Sequence, residues 1–188
     1  MTPVATDVPA GDAPTPSDTD LMAQVQQGSR EAFVTLVRRH QGPLLNFFHR
    51  LGVSNDAEDL VQDTFVRLFR YRFRYQPRAR FTTFLYLMAR QVSLDRWRRV
   101  KRYAAAMDDY ALETRVTAQP AAPPDGRAEE VQRALATLPE PMRAVVVMSI
   151  YQGLKYDEIA EILEVPPGTV KSRMFNALRR LKEVLHGP

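Results

Sequence analysis

The chain has 188 residues, a formal net charge of +4, a pI near 9.6 and no cysteine. The basic balance makes nucleic acid the first partner to consider, and the missing thiols exclude a disulfide framework, a cysteine zinc site and a cysteine nucleophile. With no apolar run of 18 residues and no basic residue among the first twenty, neither a membrane span nor a secretory leader is predicted.

Residues 1–19 are rich in Pro and Ala, carry Asp7, Asp12 and Asp18, and predict a disordered acidic tail. Order is predicted from residue 20, with Asp18 or Thr19 as N-cap. Leu21, Met22 and Val25 mark a short helix that stops at Gly28. Ser29 then caps a longer one, in which Phe33, Leu36, Val37, Leu44, Leu45, Phe48 and Leu51 recur at helical spacing. Gly42-Pro43 predicts a kink, and Gly52 to Asn55 a break. Asn55 or Asp56 caps a third helix with Leu60, Val61, Phe65, Leu68 and Phe69 on its buried side. Asp59, Gln62, Asp63 and Val66 fall on another side and read, from the residues alone, as a solvated face.

Between Arg67 and Arg102 there are twelve Arg or Lys residues and one acid, Asp95. The stretch Arg70 to Arg80 interleaves Tyr71, Phe73 and Tyr75 with arginines, and Pro77 bars a continuous helix. Two readings stay open: aromatic platforms for unpaired bases with arginines on phosphates, or a loop whose aromatics cover the core. Thr82 or Thr83 opens a fourth helix to about Lys101, with Phe84, Leu85, Leu87, Met88, Val92 and Trp97 apolar. Its Gln91, Arg98 and Arg99 suit a DNA backbone or a plain solvated face. Residues 103–127 read as a Pro- and Ala-containing linker.

The second domain, 128–186, starts with a helix carrying Val131, Leu135 and Leu138, then a Pro-marked turn and a helix from Met142 to about Gln152. Ile159, Ala160 and Leu163 follow on one helix face, Glu164-Val165-Pro166 makes a tight turn, and Pro167 opens the last helix. That helix is predicted to bury Val170, Met174, Ala177, Leu178, Leu181 and Leu185. Lys171, Ser172, Phe175, Asn176 and Arg179 remain opposite. Helix, tight turn and basic second helix describe a helix-turn-helix whose second helix enters the major groove. The fold class predicted is all-α, in two small helical domains.

The second domain resembles region four of bacterial sigma factors, through Leu138-Pro139-Glu140, Arg143, Gly153-Leu154, Glu158-Ile159-Ala160, Leu163 and Gly168 to Arg173. The block Asp56 to Phe65 resembles region 2.2, and Phe81 to Arg90 with Asp95 and Arg98-Arg99 resembles regions 2.3 and 2.4. Their order and spacing are similar to the extracytoplasmic-function (ECF) sigma factors, which keep only these two domains. The resemblance implies a cytoplasmic, non-enzymatic subunit of RNA polymerase without cofactor or metal. Its implied partners are the core enzyme (the β′ clamp helices and the β subunit), promoter DNA and an anti-sigma factor. It implies core docking by Asp59, Gln62 and Asp63. It implies contacts to the −10 element from Tyr71, Phe73, Tyr75, Arg78, Arg80, Gln91, Arg98 and Arg99. Readout of the −35 element falls to Thr169, Lys171, Ser172, Arg173, Phe175, Asn176 and Arg179. The chain departs from the family pattern at Phe84, where a Trp is common, at Gln91, where Asn is usual, at Lys155, often a Ser cap, and at Asn176, where a basic residue is frequent.

Two rival classes remain. A stand-alone operator-binding regulator needs a dimer interface, and no heptad stretch supplies one. An enzyme acting on nucleic acid finds little support: His40, His49 and His186 are scattered and no P-loop spacing occurs.

Overall fold

The computed structural model describes residues 15–53, 55–77, 79–106 and 126–186. The predicted tail up to residue 14 and most of the predicted linker lie outside them. The described residues form eight α-helices and no strand: α1 (Asp18–Gln26), α2 (Arg30–Arg50), α3 (Ala57–Arg70), α4 (Phe81–Ala106), α5 (Gly126–Ala136), α6 (Glu140–Val146), α7 (Tyr156–Leu163) and α8 (Pro167–His186).

Helix α1 begins earlier than predicted, because Ser17 caps it. The Ser17 hydroxyl accepts from the Asp20 amide at 3.2 Å, and the Asp20 carboxylate accepts from the Ser17 amide at 3.2 Å. This reciprocal box satisfies two of the donors a helix start leaves unpaired. Gly28 turns the chain at φ 98°, and Ser29 caps α2 through the Ala32 amide. Pro43 sits inside α2 without ending it. Asp56 occupies the cap position of α3 but makes no capping hydrogen bond; its carboxylate pairs instead with Arg96 at 2.5 Å. Helix α4 starts at Phe81, so Thr83 lies inside it, and it runs on to Ala106.

The first domain packs α1 to α4 around Met22, Leu36, Leu44, Phe47, Phe48, Leu68 and Leu85, all fully buried. Each such side chain contributes about 1.5–3 kcal/mol through burial. Phe69, predicted inside, is 39 % exposed. It follows the fully buried Leu68 by one residue, about 100° around the helix, and its ring rests edge-on against Phe33 at 5.1 Å.

In the second domain, α6 ends in a single π-turn over Val147–Tyr151, and Gly153 reverses the chain at φ 63°. Its core holds Leu138, Val145, Met148, Ile159, Ile162, Val170 and Ala177. Two positions predicted inside, Leu178 and Leu185, are 49 % and 38 % exposed. Val170, Met174, Ala177 and Leu181 keep to one stripe, whereas Leu178 lies about 80° around the helix from Val170.

The two domains are packed together, which the sequence did not foretell. The end of α2 enters the second domain. Gln132 donates to the His49 carbonyl at 2.9 Å and Arg143 to the Leu51 carbonyl at 3.0 Å. Both carbonyls lie at the C-terminal end of α2, where a helix leaves carbonyls without intrahelical partners; the His49 carbonyl also accepts from the Gly52 amide at 3.0 Å. Arg143 also donates to the Leu138 carbonyl at 2.9 Å, and the Arg50 guanidinium lies 4.1 Å over the Tyr151 ring. Helix α7 lies against α4.

His40 gives the first domain a pH dependence. Its ring is buried against Phe81, and Nε2 lies 2.8 Å from Asp18. Burial holds its pKa below 6.5, with Asp18 pulling the other way. As pH falls, the unfolded chain therefore binds the proton first, and stability falls with it. We expect the thermal midpoint to drop from about pH 7 to 5.5, and His40→Gln to flatten that drop. An unchanged slope in the variant would assign the titration to other groups.

Candidate nucleic-acid interface

The arginine-aromatic stretch folds on itself. After α3 the chain makes one turn of 3-10 helix over Arg72–Arg74. The Arg72 guanidinium lies 4.3 Å from both the Phe69 and the Phe73 ring centroids, and Nη1 donates to the Phe69 carbonyl at 2.8 Å. Arg74 stacks over Tyr71 at 4.6 Å. Gln26 of α1 anchors the turn, donating to the carbonyls of Arg72 and Tyr75 at 2.8 and 3.0 Å.

Tyr75 corrects the sequence reading. It is 4 % exposed and packs against Phe81 and Phe84, while its hydroxyl donates to the Ala79 carbonyl at 3.1 Å. It supports the loop from inside and offers no free face for a base. Phe73, at 68 % exposed, does. Arg78 lies outside the described residues. Between the loop and α4 opens a cavity of about 620 Å³, with Tyr71, Arg74, Gln76, Met88 and Gln91 in its wall. Glu161 of α7 closes one side of it. Its wall mixes the Tyr71 and Phe84 rings with the polar ends of Arg74, Gln76, Gln91 and Glu161.

The outer end of α4 is basic and open. Arg98 and Arg99 are exposed, and a groove of about 690 Å³ runs past them, Lys101 and Arg102. Trp97 lines it too, 60 % exposed, with the Lys101 ammonium 5.2 Å over its ring. The sequence reading counted Trp97 among the apolar residues of this helix and missed it as a surface group. The signal was present: Trp97 falls five residues after the buried Val92, about 140° around the helix. Asp95 holds Arg67 at 2.6 Å and Arg98 at 3.4 Å, so Arg98 is partly neutralised.

On α3, Asp59, Gln62 and Asp63 are all exposed, with Val66 50 % exposed one turn further on. Asp63 also lines a small cleft with Arg67, Arg70 and Arg99, so this acidic face borders the basic strip.

The third surface is α8. Glu164 ends α7 in the left-handed conformation at φ 54°, and the Val165 amide returns to the Ala160 carbonyl at 3.0 Å. This tight reversal sets α8 across α7. Lys171, Phe175 and Arg179 form one exposed row, with Phe175 69 % exposed. Thr169, Arg173 and Asn176 are half-buried beside it, and exposed Ser172 donates to the Thr169 carbonyl at 3.0 Å. Among the described residues no group of His, Asp and Glu could hold a metal, and no helix is long and apolar enough to cross a membrane.

Comparison with known proteins supplies the family. The sigma-70 region 2 model matches residues 36–103, and the sigma-70 region 4 model matches residues 128–181. The ECF RNA polymerase sigma factor SigM of Mycobacterium tuberculosis is 37% identical over 176 residues, 90% of this chain and 85% of its own. The chain belongs to the ECF sigma factors of the sigma-70 family. It is also 36% identical over 167 residues to the ECF RNA polymerase sigma factor SigE of Mycolicibacterium smegmatis. That match covers 85% of this chain but only 63% of the relative. Among solved structures it resembles CnrH in complex with the cytosolic domain of CnrY, at a TM-score of 0.66 and 27% identity, over 90% of this chain and 97% of that one.

In this sigma factor the loop, the α4 groove and the α8 face are the surfaces that combine exposed aromatic and basic side chains, and Tyr75 supports the loop. Tyr75→Ala should cost about 3–5 kcal/mol of stability, as large-to-small core changes do, read from the urea midpoint. Phe73→Ala should stay within about 0.5 kcal/mol. Equal losses would place both rings in the same role.

Proposed function

We propose that this chain is the promoter-specificity subunit of a bacterial RNA polymerase, acting in the cytoplasm and not itself an enzyme. Core polymerase and promoter DNA are its partners, and an anti-sigma factor its antagonist. The proposal rests on one observation above others: region 2 and region 4 stand in order in one chain, each with an exposed surface suited to DNA. Asp59, Gln62 and Asp63 dock on the β′ clamp helices. Phe73, Tyr71 and Gln91 receive an unpaired base of the −10 element, with stacking offsetting part of the few kcal/mol that extrusion costs. Arg80, Arg98 and Arg99 neutralise its phosphates. Thr169, Lys171, Ser172, Arg173, Phe175, Asn176 and Arg179 meet the −35 element, where the Asn176 amide has the geometry for adenine.

Reconstitution tests this reading. The chain with core polymerase should drive run-off transcription from promoters selected from its own genome; absence of any promoter-dependent product would sink it. Asp63→Arg should leave the helical fold and thermal midpoint unchanged and abolish co-elution with core polymerase. Asn176→Ala should relax one −35 position by about 1–3 kcal/mol, whereas Arg179→Ala should weaken all sequences alike. Transcription from a promoter library separates the two, and full selectivity in Asn176→Ala would remove it as a reader.

A further inference from the structure

The outward side chains of the loop stand between two carbonyls that one residue of α1 holds. Gln26 is the last residue of α1. Its Nε2 donates to the Arg72 carbonyl at 2.8 Å and to the Tyr75 carbonyl at 3.0 Å. Phe73 and Arg74 lie between those carbonyls in the chain, and both are exposed. The Arg72 carbonyl also accepts from the Tyr75 amide at 3.2 Å, which closes the 3-10 turn. Gln26 therefore grips the turn at both shoulders and leaves its middle facing outward.

A second bond comes from the same face of α1. Thr19 precedes Gln26 by about two turns of helix and lies within about 20° of it around the axis. Its hydroxyl stands 3.3 Å from the Tyr75 hydroxyl. The Tyr75 proton goes to the Ala79 carbonyl, so Thr19 is the donor. Helix α1 is itself fastened to α2, where Asp18 pairs with Arg39 and, at 2.8 Å, with His40. From the other side, Phe81 and Phe84 of α4 hold the Tyr75 ring. Thr19 and Gln26 are half-buried and uncharged. What they shape is the loop backbone.

Resting on the proposed function, we propose that Gln26 is a positioning residue for capture of the unpaired −10 strand, with Thr19 in support. A single 3-10 turn has few bonds of its own, and fixing its backbone costs entropy. Gln26 fixes it when the chain folds, so the strand meets Phe73 and Arg74 already set in place. Without those donors the turn has to be ordered as the strand binds, and affinity for the strand falls. Binding of duplex DNA by α8 does not pass through this turn and stays as it was.

The test uses holoenzyme assembled with core polymerase and two probes from one promoter chosen by run-off transcription. One probe is a single-stranded −10 oligonucleotide, the other a duplex carrying the −35 element alone, and fluorescence anisotropy gives both affinities. Gln26→Glu keeps the shape of the side chain and sets an acceptor against the two carbonyls. Gln26→Met keeps its length with neither donor nor charge, and carries the test if Gln26→Glu folds poorly. Gln24→Glu, exposed on the same helix, is the charge-matched control. We expect both Gln26 variants to bind the −10 strand about tenfold more weakly, as the loss of the paired hydrogen bonds implies. The control should change by less than about twofold, since its charge lies on solvated surface, and the −35 duplex should bind equally in all. The decisive readout is the double-mutant cycle with Phe73→Ala: in that background Gln26→Met should cost about twofold at most. A loss that persists there in full, or an equal loss on the −35 duplex, would make Gln26 a plain fold contact and overturn the proposal. So would unchanged strand binding in both Gln26 variants. Phe73→Ala by itself tests the underlying reading. If it leaves strand binding intact, the loop is not the −10 surface and the reading falls together with the proposal. If it weakens strand binding while the Gln26 variants do not, the reading stands and only the proposal falls.

Discussion

Helix α4 is buried from two sides, and the architecture depends on that. Phe81, Leu85, Met88, Ala89 and Val92 form one stripe, all nearly inaccessible, facing α2 and α3. Thr83 and Tyr86, also buried, begin a second stripe that faces the other domain through hydroxyl groups. Burial pushes the Tyr86 phenol well above its usual range, so the group stays a neutral donor. Buried hydroxyls need partners, and here region 4 supplies them. The same helix carries the cavity wall on its inner turns and the basic groove on its last turns. Anything that tilts α4 therefore moves the cavity, the basic groove and the domain contact together.

Arginine acts in two opposite ways in this molecule. Arg143 and Arg72 are turned inward, donating to carbonyls at helix ends and stacking on rings. Burial lowers the Arg143 pKa, with Glu140 acting against it, yet guanidinium stays charged under all working conditions. Gly52 is the residue that lets Arg143 approach: its φ is 92°, and a Cβ there would stand 2.7 Å from Arg143 Nη1. Arg98, Arg99 and Arg179 are turned outward. A basic stretch is thus not one surface. The inward arginines set the shape of the loop and the domain joint, and the outward ones leave a positive field for a polyanion.

The exposed aromatics follow the same division. Phe73 and Trp97 are each stacked by a cation on one side. At exposed sites such pairs contribute only about 0.5–1 kcal/mol. They orient the rings without sequestering them, and leave each ring a face toward the solvent.

Much of this was legible in the residues. Helical period, Gly and Pro breaks and the basic last helix determine the eight helices, the helix-turn-helix and the family, because each signal is local. Ser29, Gly153 and the pair Pro166-Pro167 act where they stand. The sequence does not decide which aromatic of Tyr71, Phe73 and Tyr75 turns inward. That choice follows from Phe81 and Phe84 on the next helix, together with the Ala79 carbonyl. Nor do Leu178 and Leu185 reveal their exposure, since composition records apolarity and not whether another helix arrives to cover it. The closing of region 4 over region 2 was decided by tertiary structure alone. Its polar contacts join residues 50 to 92 positions apart in the chain, and neither period nor composition carries any trace of a pairing made at that distance.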